Sequence, residues 1–257
     1  MAHPLFLTSG NIGIAQYLGV AAIAFAASVI GGISGYGTGL LLPPVLIPLV
    51  GAEAVVPVVS LSALLTNASR VWAFRARFDR EKAALVVLFA LPFCLLGAYG
   101  YTRLSGPSVS VVLGLMLILI VPLRPLLIRR RGYLGRPGLA LGAAGYGLLM
   151  GGTSGSGVVL ISLLLSVGLA GASVIATDAG ISLVLGIAKV ALFQASGALA
   201  PSLWAMALLI GVCAIPGTFL AKRLMRHLPA RSHSRILDGV VILGGVLLVI
   251  GGLKPAF

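Results

Sequence analysis

Lys189 lies deep inside an apolar stretch, in Gly186-Ile187-Ala188-Lys189-Val190, too far from either end for its ammonium to reach water easily. Eleven residues earlier stands Asp178. On a helix that spacing puts both on one face, about 16 Å apart along the axis, so they are not a direct intrahelical pair. Ser182 shares the face with Lys189. A charged group in such a stretch marks function by default. The Lys189 partner is a bound anion, Asp178, or a carbonyl or carboxylate elsewhere. A second polar strip runs through Ser60, Ser62, Thr66, Asn67, Ser69 and Arg70. Asn67 offers a ligand amide. Arg70 is a candidate for coupling or gating, or a member of a basic rim. Asp178 is a candidate proton carrier or gate, because while ionised it repels an anion.

Two glycine-rich motifs supply the other chemistry. Ile33-Ser34-Gly35-Tyr36-Gly37, followed by Thr38, matches Thr153-Ser154-Gly155-Ser156-Gly157 at a separation of 120 residues. Glycine costs about 1 kcal/mol per residue in a helix relative to alanine, so neither run is comfortable helix. Each precedes a short apolar segment that would begin part-way into a membrane. The first N–H groups of such a helix lack partners, and the macrodipole adds about half a positive charge there. Two such ends converging from opposite sides make an anion site. The bland alternative is close helix packing through small residues. Candidate substrate ligands are Ser34, Gly35, Gly37, Thr38, Asn67, Ser154, Gly155, Ser156, Gly157 and Lys189. Tyr36 is a gate or a packing residue, and the hydroxyls are substrate donors or helix caps.

The elements that must position these groups are apolar. The chain has 257 residues, 59% hydrophobic and 9% charged, with a mean hydropathy of +1.14. Soluble domains carry about 25% charged residues, so lipid is the solvent here and a soluble enzyme is excluded. Ten apolar segments follow one another, roughly 13–32, 39–50, 55–74, 82–103, 107–127, 138–152, 157–170, 173–197, 203–224 and 234–253. The second and seventh are too short to span a bilayer. Gly13 to Gly32 is read as a retained span, because the stretch to Asn11 lacks a basic n-region.

The formal charge of +13 is concentrated in three blocks, at 70–82, 124–136 and 222–235. The positive-inside rule explains them better than nucleic acid does. Even numbers of segments separate the blocks, so the basic loops 75–82, 124–136 and 222–235 can all be cytoplasmic. Five spans per half is odd, so the halves face opposite ways. Each half also holds a proline within a helix, Pro92 and Pro216, read as an interruption. The expected fold is an all-α polytopic membrane protein with about ten membrane segments, two inverted five-helix repeats and short broken helices after Gly-rich motifs. One transporter domain covers 1–257, with repeat one about 13–127 and repeat two about 138–253. Cys94 and Cys213 sit in apolar runs and read as small hydrophobes rather than a disulfide or metal pair. No cofactor is expected, and no nucleotide-binding motif is present.

Two further motifs carry other readings. Gly35-Tyr36-Gly37 is similar to a potassium-filter signature, but that filter needs four copies of a short pore module, whereas this chain is a two-fold repeat. Gly152-Thr153-Ser154-Gly155 is similar to the GxSG of intramembrane serine proteases, whose serine needs an adjacent base. His3, His227 and His233 fall in predicted ends or loops, which leaves Lys189 as the base to invoke.

Taken in order, the two glycine motifs, Val59-Ser60-Leu61 with Thr66-Asn67, Ala176-Thr177-Asp178 followed by Lys189, and the basic 75–82 loop resemble the sulfite exporter TauE/SafE family. Val58-Val59-Ser60 stands where that family commonly has Gly/Ala-Thr-Ser. The resemblance implies a transporter of sulfite, sulfonates or related small anions in the bacterial inner membrane. The expected partners are a small anionic substrate and the lipid bilayer, with proton coupling through Asp178, in a monomer or homodimer. A passive anion channel is the rival.

Overall fold

The computed structural model describes residues 13–34, 38–104, 106–129 and 135–224, and six helical residues beyond them: 242, 245, 246, 249, 250 and 253. For residues 31–34, 38, 106, 117 and 120–129 the description covers the backbone alone. Every regular element among the described residues is helical. The helices are α1 (Ile14–Ser34), α2 (Thr38–Leu41), α3 (Pro43–Val50), α4 (Ala52–Phe74), α5 (Arg80–Tyr101), α6 (Gly106–Arg129), α7 (Arg136–Gly152), α8 (Gly157–Ser166), α9 (Ala172–Ala195) and α10 (Trp204–Leu224). Four stretches are long and apolar enough to cross a membrane: Ala52–Arg77, Arg80–Tyr101, Ala172–Ala195 and Pro201–Leu224.

The segment expected at 39–50 is two helices, α2 and α3, divided at Leu42. Pro43 and Pro44 follow it, and a proline disfavours helical backbone in the residue before it and has no N–H to continue the ladder. The segment expected at 157–170 ends at Ser166, before Gly168 and Gly171 with φ of +85° and +54°. The prolines expected to interrupt two helices do not. α5 runs through Pro92 and α10 through Pro216. One lost backbone bond in a long apolar helix bends it without ending it when neighbours pack on both sides. The tenth expected segment lies mostly outside the described residues, although residues 245 and 249 approach the Gly114 backbone closely.

Packing is by small residues. Methyl groups on Gly147 and Gly151 of α7 would collide with the carbonyls of Ala90 and Cys94 in α5, and one on Gly97 would meet the Leu148 carbonyl. α1 and α10 meet similarly: a methyl on Gly217 would sit 2.8 Å from the Phe25 carbonyl oxygen, and Ser28 Oγ donates to the Ala214 carbonyl at 2.6 Å. Lipid tails give no hydrophobic drive between spans, so such close backbone approach supplies the packing attraction. Between these two pairs lie α4 and α9, packed on each other. α4 also contacts α10, and α9 contacts α5. At one end Arg136 Nη2 lies 3.5 Å from Glu81 Oε1, and Lys222 Nζ donates to the Ala73 carbonyl at 2.9 Å. These contacts bring described members of the three basic blocks to the same end of the bundle.

At that end Asp79 caps α5. Its side chain accepts from the Lys82 backbone N–H at 3.0 Å and from Lys82 Nζ at 2.8 Å. The Lys82 ammonium and amide hold the Asp79 carboxyl below its ordinary range. The stabilisation is therefore complete above the unfolded carboxylate value and is lost as pH falls through the lower folded one. Asp79→Ala is expected to cost about 1 kcal/mol, read as a lower thermal midpoint in detergent at neutral pH, with the difference from wild type shrinking in acid. Gly151→Val is expected to destabilise by about 2 kcal/mol through overpacking. A Gly151→Val midpoint equal to wild type would show that α5 and α7 can separate freely.

Candidate functional site

The site is built where the second glycine motif breaks the chain between α7 and α8. Thr153 turns extended after Gly152, with φ of −144° and ψ of 177°, and Gly155 takes the left-handed region at φ +88° that favours glycine. α8 then starts at Gly157 with no side-chain cap, and of its first N–H groups that of Val159 turns back onto the Ser156 carbonyl at 2.9 Å. The open carbonyls at the end of α7 are met by Lys189 from α9. Its Nζ donates to the Met150 carbonyl at 2.6 Å and the Thr153 carbonyl at 2.9 Å. Of the partners the sequence leaves open for Lys189, the structure provides carbonyls. An ammonium with three donors retains one beyond those two.

The short helix that follows the first glycine motif meets the second motif. A methyl on Gly39 would lie 2.7 Å from the Gly155 backbone nitrogen, and one on Gly155 would collide with Leu40. Two stretches far apart in sequence therefore touch backbone to backbone. Ser34 and Thr38 are described as helical backbone only, and Gly35, Tyr36 and Gly37 lie outside the described residues.

Beside this contact is a cavity of about 160 Å³. Pockets for drug-sized ligands run to roughly 300–1,000 Å³, so the space suits a small molecule. Asn67 and Arg70 line it from α4, Ser154, Gly155, Ser156 and Gly157 from the break, and Asp178 and Lys189 from α9. These eight sequence candidates thus share one cavity, and Ser34 and Thr38 are not part of its described lining. Ser154 Oγ and Asp178 Oδ1 are buried and have no hydrogen-bond partner among the described residues. Arg70 makes no hydrogen bond to a described residue and no ion pair within 4.0 Å, yet it and Asp178 act on each other through space. Next to Asp178, the Thr177 hydroxyl accepts the Asp79 backbone N–H at 3.1 Å, tying the basic loop to α9.

Lys222 and Thr218 of α10 and Tyr146 of α7 also line the cavity, and sequence reading did not pick them for the site. Tyr146 is 1% exposed, with its hydroxyl 3.4 Å from Ser182 Oγ. Its position between Gly145 and Gly147, a large polar-tipped ring in a small-residue helix, was the available signal. Lys222 read as one more member of a basic block.

The sequence profile described as Sulfite exporter TauE/SafE matches residues 20–248. The chain belongs to the sulfite exporter TauE/SafE family. No curated protein and no solved structure matches it. The TauE/SafE match spans both glycine motifs, α4, α9 and the whole described lining of the cavity. TauE/SafE proteins are membrane transporters rather than enzymes, and membership implies a small anionic substrate and a multi-pass membrane protein.

Replacing Lys189 with Met leaves two buried carbonyls without a donor. Lys189→Met is expected to destabilise the break by roughly 2 kcal/mol and to speed hydrogen exchange at 153–157, while Lys189→Arg keeps most of the protection. Exchange unchanged in Lys189→Met would remove the bonds to Met150 and Thr153 as the clasp.

Proposed function

We propose that the chain is a secondary transporter that exports a small anion, such as sulfite or an organosulfonate, across the bacterial inner membrane by alternating access. The whole chain acts as one transmembrane domain, with its basic loops cytoplasmic. The observation that carries the reading is the contact of α2 with the second glycine motif beside a small cavity that, among the described residues, holds Arg70, Lys189 and Lys222 against a single carboxylate, Asp178.

The anion is held by the N–H groups of Gly157 and Val158 at the start of α8, the hydroxyls of Ser154 and Ser156, the Asn67 amide, Arg70 and the spare Lys189 donor. Charge-assisted bonds of this kind are about twice as strong as neutral ones, and they replace the water that a small oxyanion sheds. Asp178 carries the coupling proton: protonated, it ceases to repel the anion. Tyr36 and Arg70 control access.

The helix pairings support two related halves. Exchanging α1 with α7, α4 with α9 and α5 with α10 turns the α5–α7 pair into α10–α1, the α4–α10 pair into α9–α5, and leaves α4–α9 unchanged. Five segments per half give the inverted orientation common among secondary transporters.

The test is flux of sulfite and of sulfoacetate into proteoliposomes. Arg70→Met is expected to raise the half-saturating concentration by about tenfold or more, the loss of a charged hydrogen bond. Asp178→Asn is expected to abolish the response to a pH gradient while leaving exchange of anion for anion. Full, saturable, pH-driven flux of either anion in both Arg70→Met and Lys189→Ala would sink the assignment of the cavity.

A further inference from the structure

A second, larger space of about 660 Å³ opens at the end of the bundle where the basic blocks gather. Trp72, Arg75 and Arg77 line it from the end of α4 and the turn after it, Phe219 and Lys222 from α10, and Gly171 from the start of α9. Among the described residues that line the groove, its three cations face no acidic side chain. Trp72 is 68% exposed, and the Arg75 guanidinium lies over its ring at 4.8 Å.

Three residues belong to both spaces: Phe74, Ile175 and Lys222 line the groove on one side and the buried cavity on the other. They form a wall one side chain thick. Lys222 secures it, because its Nζ donates to the Ala73 carbonyl at 2.9 Å and lies 4.8 Å from the centre of the Phe74 ring. These are a neutral acceptor and a ring face. An anion arriving in the groove is a stronger acceptor for the same ammonium. It would draw Nζ away from Ala73 and off Phe74, and so loosen the wall that separates it from the cavity.

We propose that the basic groove is a vestibule in which small anions collect, and that Phe74, Ile175 and Lys222 are the gate between it and the buried cavity, released when an anion takes the Lys222 ammonium. This deepens the transport reading and rests on it for the direction of travel. The basic groove raises the local anion concentration, as charged clefts with low-dielectric walls do. The cavity behind the gate supplies the bond set that retains the anion.

The test labels a cysteine inside the cavity, Ser182→Cys, in full-length protein carrying Cys94→Ala and Cys213→Ala, reconstituted in phosphatidylcholine vesicles. The reagents are sulfonatoethyl methanethiosulfonate and its trimethylammonium analogue. Trimming the gate, by Phe74→Ala and separately by Ile175→Ala, is expected to speed labelling by the anionic reagent about tenfold. Arg75→Gln with Arg77→Gln is expected to slow the anionic reagent by a similar factor, leaving the cationic one unchanged or faster. Rates that ignore both gate substitutions, or that fall equally for the two reagents, overturn the proposal. So does loss of anionic labelling on adding phosphatidylglycerol, which would assign the groove to lipid headgroups. Labelling does not require transport. Absence of sulfite and sulfonate flux alongside the expected labelling would defeat the transport reading and leave the vestibule standing.

Discussion

At the centre of the molecule two backbones touch where no side chain fits. Gly39 and Gly155 approach so closely that a methyl on either would collide with the other strand or its neighbour. Broken helix exposes amides and carbonyls, which hydrocarbon cannot satisfy, so a break inside a membrane must be buried in protein or face a polar space. Here both conditions are met. One side of the break is covered by Gly39 and Leu40 of α2, and the other faces the cavity. Lys189 completes the arrangement by donating to two of the open carbonyls. Its ammonium is deeply buried, at 3% exposure, yet it has acceptors there, which is the condition under which a buried charge is tolerated.

This geometry is what supports the proposed anion in the cavity. The α8 start presents donors and partial positive charge, and Arg70, Lys189 and Lys222 add full charges. Two buried atoms, Ser154 Oγ and Asp178 Oδ1, have no partner among the described residues. Native interiors rarely leave such groups unpaired without a reason. In a cavity that also holds Arg70, which makes no hydrogen bond to a described residue, the proposed reason is a ligand that completes the set. A neutral apolar molecule would leave the Ser154 hydroxyl and the Arg70 guanidinium without a partner among the described residues, whereas a small oxyanion offers them acceptors in several directions.

Much of this was legible in the sequence because the membrane imposes simple rules. Length and hydropathy located the long helices to within a few residues, and the basic blocks fall at the same end because charge and lipid do not mix. The paired glycine motifs and the lone Lys189 pointed to the site because both are expensive in a membrane. Other features depended on partners in space. Pro92 and Pro216 do not end their helices, since a proline's effect in a long apolar helix depends on its surroundings as well as on the bond it removes. Lys189 could have met an anion, a carboxylate or a carbonyl, and only the end of α7 decides among them. Lys222 read as topology because its reach back to Ala73 crosses 149 positions of sequence.

The packing also limits how such a molecule can move. The tightest pairs, α5 with α7 and α1 with α10, each join one helix from either half of the chain. In both, glycine lies against a carbonyl, and close-packed backbones do not slide without losing many contacts at once. A hinge that swung the first half as a body against the second would shear both pairs. α4 and α9 are different. They present polar side chains to the cavity, and where they pack on each other a methyl on Gly186 of α9 would meet only the flexible end of Leu64 of α4, at 3.0 Å. Contacts of that kind yield by rotamer change, without moving backbone. The mechanically coherent units are therefore the two glycine-packed pairs, each drawn from both halves, and the surface that can give lies between them, along α4 and α9, where the cavity is.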